Sequence, residues 1–192
     1  MSNKEDDVYR FYNEKVKVIY SEIEALNNTL PVELLFEIHA SFDHLKRFHL
    51  KEESEEESVE KVLSHLKRGA LDAYKLRLKY HNNEYNNIIN NKSDLKIVDN
   101  GNFIIRLLKA RKTINNKAKE ARLYEGKKNM DEAFEKWVEV STLINEFEEE
   151  YFNPEKIGWA KTQKYFRITR DNILSFVLGG LVSGILLKVL FK

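Results

Sequence analysis

VEKVLSHLKRGALDAYKLRLKYH, residues 59–81, is the stretch that decides the fold. Val59, Val62, Leu63, Leu66, Ala70, Ala73 and Tyr80 recur at steps of three and four, which is the period of one helix face. The same period appears on both sides. Residues 5–27 align Val8, Tyr12, Val16, Ile19, Ile23 and Leu26. Thr29 and Pro31 read as a cap and a first-turn proline for a second helix to about Leu50, with the stripe Leu35, Ile38, Phe42, Leu45 and His49. KEESEEES (51–58) breaks the pattern, and Ser54 and Ser58 are its candidate caps. The third helix continues to about Ile89, and the Asn-rich stretch 82–102 reads as a helix end followed by a loop. Phe103, Leu107, Ala110, Ile114, Ala118 and Ala121 define a fourth helix that Gly126 ends. Met130, Phe134, Trp137, Ser141, Ile144 and Tyr151 define a fifth, stopped near Pro154. A sixth starts at about Glu155.

The expected class is therefore all-α. A cytoplasmic bundle of about five long helices fills residues 1–155, a basic and aromatic juxtamembrane helix fills 156–171, and a C-terminal transmembrane anchor fills 172–192. Two prolines and seven glycines in 192 residues disfavour a turn-rich β fold. The absence of cysteine excludes disulfides, thiolate metal sites and cysteine nucleophiles. With 32 basic against 31 acidic residues, no global field favours nucleic acid. Charge is nonetheless segregated: 106–128 is mostly basic and 131–155 mostly acidic, which suits an antiparallel hairpin with mutually attracting outer faces. The sharper alternative makes the basic helix an RNA or membrane-surface contact.

The anchor rests on ILSFVLGGLVSGILLKVLF (173–191), in which 13 of 19 residues are large aliphatics or Phe and the only charge is Lys188. As a helix it spans about 28 Å, close to the hydrocarbon thickness of a bilayer. Lys188 is near enough to the end to snorkel. Lys156, Lys161, Lys164, Arg167 and Arg170 precede the run and only Lys192 follows it, which keeps the N-terminal bulk in the cytoplasm. Trp159, Lys161, Lys164, Tyr165, Arg167 and Arg170 are the candidate membrane-interface residues. MSNKEDDVYR has no apolar segment of a signal peptide. Ser175, Gly179 and Ser183 form one i,i+4 row, and Gly180, Gly184 and Lys188 the adjacent one, a small-residue surface for self-association into a homo-oligomer.

Some polar residues interrupt the apolar stripes. His44-Leu-Lys-Arg47 and His65-Leu-Lys-Arg68 repeat one tetrapeptide in consecutive helices, and a turn near 54–55 brings His44 level with His65. Asp43 and Asp72 are the expected i,i+4 partners of Arg47 and Arg68. Arg77 lies about 20° from Leu66 on the helical wheel, His81 about 60° and Glu84 at the centre of the stripe. Either this end of the helix is open to water, or Arg77, His81 and Glu84 form an internal polar cluster. These three are the candidate catalytic residues.

EIHASFDHLKRFH (37–49) and VEKVLSHLKRGALDAYKLRLKYH (59–81) resemble the central helix pair of HEPN-like bundles in bacterial conflict and phage-defence proteins, over roughly residues 30–90. HEPN ribonucleases place four to six residues between an Arg and a His, whereas Arg77 and His81 are separated by three. The resemblance thus implies a noncatalytic or divergent member, tethered to the bacterial inner membrane, that perturbs or perforates it in antiviral defence. An upstream defence sensor and membrane lipid are the partners this implies. The alternative it carries is a membrane-tethered HEPN-like ribonuclease or RNA-binding module.

Conventional catalysis has little else to stand on. Histidines 39, 44, 49, 65 and 81 have no HExxH or comparable metal spacing, and there is no phosphate-binding glycine loop or G-x-S-x-G elbow. The glutamates of 52–57 and 146–150 read as solvated charge runs. No cofactor and no metal are expected.

Overall fold

The computed structural model describes residues 4–90, 95–152 and 154–190; the side chains of residues 27, 154, 156, 161, 164, 181 and 184–190 lie outside the description. Among the described residues there is no strand. α1 (Lys4–Phe11) passes through a π-helical turn (Tyr12–Val16) into α2 (Lys17–Asn27), making one rod of the first expected helix. α3 (Val32–His49) and α4 (Glu55–Ile89) form one hairpin. After a 3-10 turn (Val98–Gly101), α5 (Asn102–Gly126) and α6 (Met130–Tyr151) form a second, and α7 (Pro154–Leu190) follows. The 35-residue α4 is the axis of the bundle, packing on α1, α2, α3 and α6.

Local chemistry sets the helix ends. The Ser54 side chain accepts the Glu57 N–H at 3.2 Å, and Asn129 accepts that of Glu132 at 3.3 Å, so α4 and α6 each start on a capping side chain. Two expected caps do other work. Ser58 donates to the His44 carbonyl at 2.9 Å, joining α4 to α3, and Thr29 lies 3.3 Å from the Tyr80 hydroxyl. The N-cap of α3 is Pro31 itself, with no side-chain bond. α2 ends where Asn28 turns left-handed.

The core joins Ile19 and Ile23 of α2, Val62 and Leu66 of α4, Leu107 and Ile114 of α5, and Phe134, Trp137 and Ile144 of α6. α3 departs from its expected stripe. Its fully buried positions are Leu34 and Ser41, while Phe42 is 62% exposed and His49 faces solvent. The reason is Gly69, where a Cβ would stand 2.6 Å from Leu34 Cδ1 and 3.2 Å from Leu34 Cα. The missing side chain lets α4 approach α3 along the Leu34 line, rotating α3 by about one residue. The α5–α6 hairpin carries the expected charge pairing, with Lys117 on Glu139 at 2.9 Å and Arg106 on Glu150 at 3.8 Å. Such solvated pairs contribute under ~1 kcal/mol each.

The first turns of α7 belong to the bundle, because Ala160 is fully buried and Ile157 packs on the core. From Tyr165 to Gly180 every residue is exposed. Among the described residues no helix is long and apolar enough to cross a membrane, so the fold itself does not support the C-terminal span. Within the 173–191 run the side chains of residues 181 and 184–190, including the positions Gly184 and Lys188, and the whole of residue 191 lie outside the description.

Candidate functional site

Helical spacing places Arg77 and His81 one turn apart on the buried face of α4, and both are enclosed, at 3% and 0% exposure. Arg77 donates from Nη1 to Glu148 Oε1 at 2.9 Å and from Nη2 to Glu148 Oε2 at 2.7 Å. Nη2 also donates to Asn145 Oδ1 at 3.1 Å, and Nε to Glu22. α4, α6 and α2 thus meet on one guanidinium, the fork geometry for which arginine is suited.

His81 Nδ1 lies 3.0 Å from Glu148 Oε1. Its ring stacks on Phe152 (5.6 Å between centroids, 16°) and meets the edge of Phe147 (4.9 Å, 88°). Burial opposes the ionised form of Glu148, but the hydrogen bonds from His81 and Arg77 outweigh it and hold the carboxyl at about 2. Burial pushes His81 down, against the opposing bond to Glu148. We therefore assign a neutral imidazole that donates Nδ1–H to an ionised carboxylate, with Arg77 the principal charge on Glu148. The opposite nitrogen, Nε2, is buried without a hydrogen-bond partner among the described residues. Nearby, Arg111 donates to Asn82 and lies 4.9 Å from the centre of the Tyr85 ring.

A cavity of about 290 Å³ opens beside this cluster, bounded by Leu26, Tyr80, Asn83 and Phe152 together with Arg77, His81, Glu84 and Glu148. Arg77 and His81 are therefore brought together, but Glu84 is not joined to them. It is exposed at the cavity and accepts from Asn87 at 3.4 Å. The acid in its place is Glu148. Sequence reasoning missed Glu148, Glu22 and Asn145, having read 146–150 as solvated. The signal was present: Glu148 stands four residues after Ile144, on the buried line of α6. Glu53 is a second exception, with a nearly buried side chain that meets His44, Lys61 and Arg47.

The arrangement holds charge more readily than it performs chemistry. Arg77 directs its fork at two carboxylates, so an incoming phosphate would have to displace them. Nε2 could accept a proton only if the cavity wall moved.

His44 and His65 are level, as expected, with rings stacked at 5.2 Å and 28°. His44 meets Glu53 at 3.1 Å and His65 meets Glu37 at 2.6 Å. Arg47 pairs with Asp43 at 2.7 Å, whereas Arg68 reaches Glu37 at 3.4 Å and Asp72 is taken by Lys75. Among the described residues no group of three or more His, Asp or Glu is placed to hold a metal ion. On α7, Trp159, Tyr165, Arg167, Arg170, Ser175, Gly179, Gly180 and Ser183 are all exposed, and Arg170 is engaged by Asp171 at 3.0 Å. The side chains of Lys161 and Lys164 lie outside the described residues. No protein-family model, curated protein or solved structure matches this chain.

Proposed function

We propose that this is a tail-anchored, self-associating protein of the bacterial inner membrane, its bundle facing the cytoplasm, which perturbs or perforates that membrane as an effector of antiviral defence. The free length of α7 carries the reading. Ile173, Leu174, Phe176, Val177, Leu178 and Val182 are exposed on successive faces of a helix that has left the bundle. Each would gain about 1–2 kcal/mol from burial, and an apolar surface that surrounds a helix cannot be covered by one neighbour. Hydrocarbon covers all faces at once. The sequence continues as ILLKVLF to Phe191, and the cations before the run favour a cytoplasmic bundle. The defence role and an upstream sensor rest on the HEPN-like resemblance of residues 30–90. Deleting residues 172–192 should move the protein from carbonate-washed membranes to the soluble fraction with its remaining helicity intact. Retention of the truncated chain in the membrane would overturn the single-anchor reading.

The cavity beside Arg77 and His81 favours a second reading, a HEPN-like ribonuclease or RNA-binding module. It is the weaker one, because the donors of Arg77 are engaged by Glu148, Glu22 and Asn145. Incubating the purified chain with RNA separates the two: cleavage that Arg77→Ala abolishes would establish the enzyme.

A further inference from the structure

We propose that the outward face of α5 is a second membrane contact, a docking surface for anionic lipid headgroups. Taking Lys112 as the centre, Ile105, Leu108, Lys109, Asn115, Asn116, Lys119, Arg122 and Leu123 fall within about 80° on either side. All are exposed, and Ile105 and Leu123 are 64% and 65% so. Among the described residues Lys109, Lys112, Lys119 and Arg122 form no ion pair. The other cations of this helix are engaged: Arg106 by Asp99, Lys117 by Glu139 and Glu120, Arg111 by Asn82. Glu120 falls at the edge of the same arc, about 80° from Lys112, and is held there by Lys117. Arg106 and Lys117 are thus matched by carboxylates and Arg111 is turned inward to the Asn82 amide, whereas the four cations of the stripe face outward with no acid paired to them among the described residues.

The chemistry of the stripe selects the partner. Four cations along roughly 20 Å of helix match a layer of phosphates. Exposed aliphatics at each end, Ile105 with Leu108 and Leu123, suit insertion just below such a layer, as in interfacial amphipathic helices. A single-stranded nucleic acid would be better served by aromatic rings along the groove, and the stripe has none. The contact deepens the membrane reading by giving the bundle its own adhesion, separate from the tail and dependent on lipid charge.

The test uses the full chain with vesicles of phosphatidylcholine alone or mixed with phosphatidylglycerol, read by amine-reactive labelling of individual lysines. Each cation at an anionic surface is worth about a fivefold change in adhesion. Lys109, Lys112 and Lys119 should label about fivefold or more slowly on the anionic vesicles, with Lys17 and Lys51 unchanged as references, and salt should reverse the effect. The triple variant Lys109→Glu, Lys112→Glu, Lys119→Glu should abolish protection of the remaining stripe, read as hydrogen exchange across 105–123. Because those side chains are exposed, the variant should keep the parent's circular dichroism; Ile105→Ser with Leu108→Ser is the milder second variant, expected to weaken protection. Equal labelling on both vesicle types overturns the proposal, and so does protection by single-stranded RNA in place of vesicles. Flotation with phosphatidylcholine vesicles reports the tail alone, so a failed anchor and a failed stripe are distinguishable.

Discussion

Glu148 of α6 receives both terminal nitrogens of Arg77 of α4, one on each carboxylate oxygen, at 2.9 and 2.7 Å. The two residues are 71 positions apart and belong to different hairpins. The pair clamps the hairpins together at the end where α4 outruns α3. It also orients His81, since Oε1 serves both residues. Removing one member of such a pair leaves the other buried and uncompensated.

Arg77→Ala should accordingly destabilise the chain by about 3 kcal/mol or more, and Arg77→Lys should recover only part of that, because an ammonium cannot reproduce the fork. Urea denaturation followed by circular dichroism measures both. Equal stability of Arg77→Ala and the parent would show that the clamp contributes nothing.

Acid should weaken the fold in two stages. Both His81 and Glu148 have folded-state values below their ordinary ones, so each contributes stability above its unfolded value and loses it as pH falls. The His81 contribution is complete above about pH 6.5 and fades below. That of Glu148 fades between 4.5 and about 2, and amounts to about 3 kcal/mol at most. In urea midpoints taken from pH 8 to 3, Glu148→Gln should lose the lower stage; a variant profile that parallels the parent throughout would contradict the assignment.

Gly69→Ala should destabilise by about 1–2 kcal/mol, because the new methyl meets Leu34 and Glu37 in a closed contact that outweighs the gain in helix propensity. Gly158→Ala in α7, with nothing within 4 Å of its Cβ, should instead stabilise by up to about 1 kcal/mol. Opposite signs in paired thermal melts are the expected result. Matching signs would mean that close approach at Gly69 is unimportant.

Replacing Gly180 and Gly184 by Leu should reduce crosslinked oligomers in membranes and any dye leakage on overexpression, since two Leu side chains hold helix backbones apart. Gly180 has nothing within 4 Å of its Cβ position, so the change perturbs no contact inside the chain there. A double variant that crosslinks and leaks like the parent would place the activity in the bundle.

The helical class, the six rods and most of their ends follow from the sequence alone, because periodicity, caps and chain breakers act within a few residues. Phe103, Leu107, Ile114 and Ala121 of α5 are buried as their spacing requires, and so are Phe134, Trp137 and Ile144 of α6. Arg77 and His81 of α4 were also visible as polar residues on an apolar stripe. Their partners were not. Glu148 stands in an acidic run with Glu146, Glu149 and Glu150, all three exposed, and only its place one turn after Ile144 sets it apart from them. Only the packing of α6 on α4 puts one of four similar carboxylates against Arg77. The rotation of α3 was hidden for the same reason: Leu34 and Leu35 are adjacent and equally apolar, and the choice between them is made at Gly69, 35 residues away, where the absence of a Cβ lets the second helix come close.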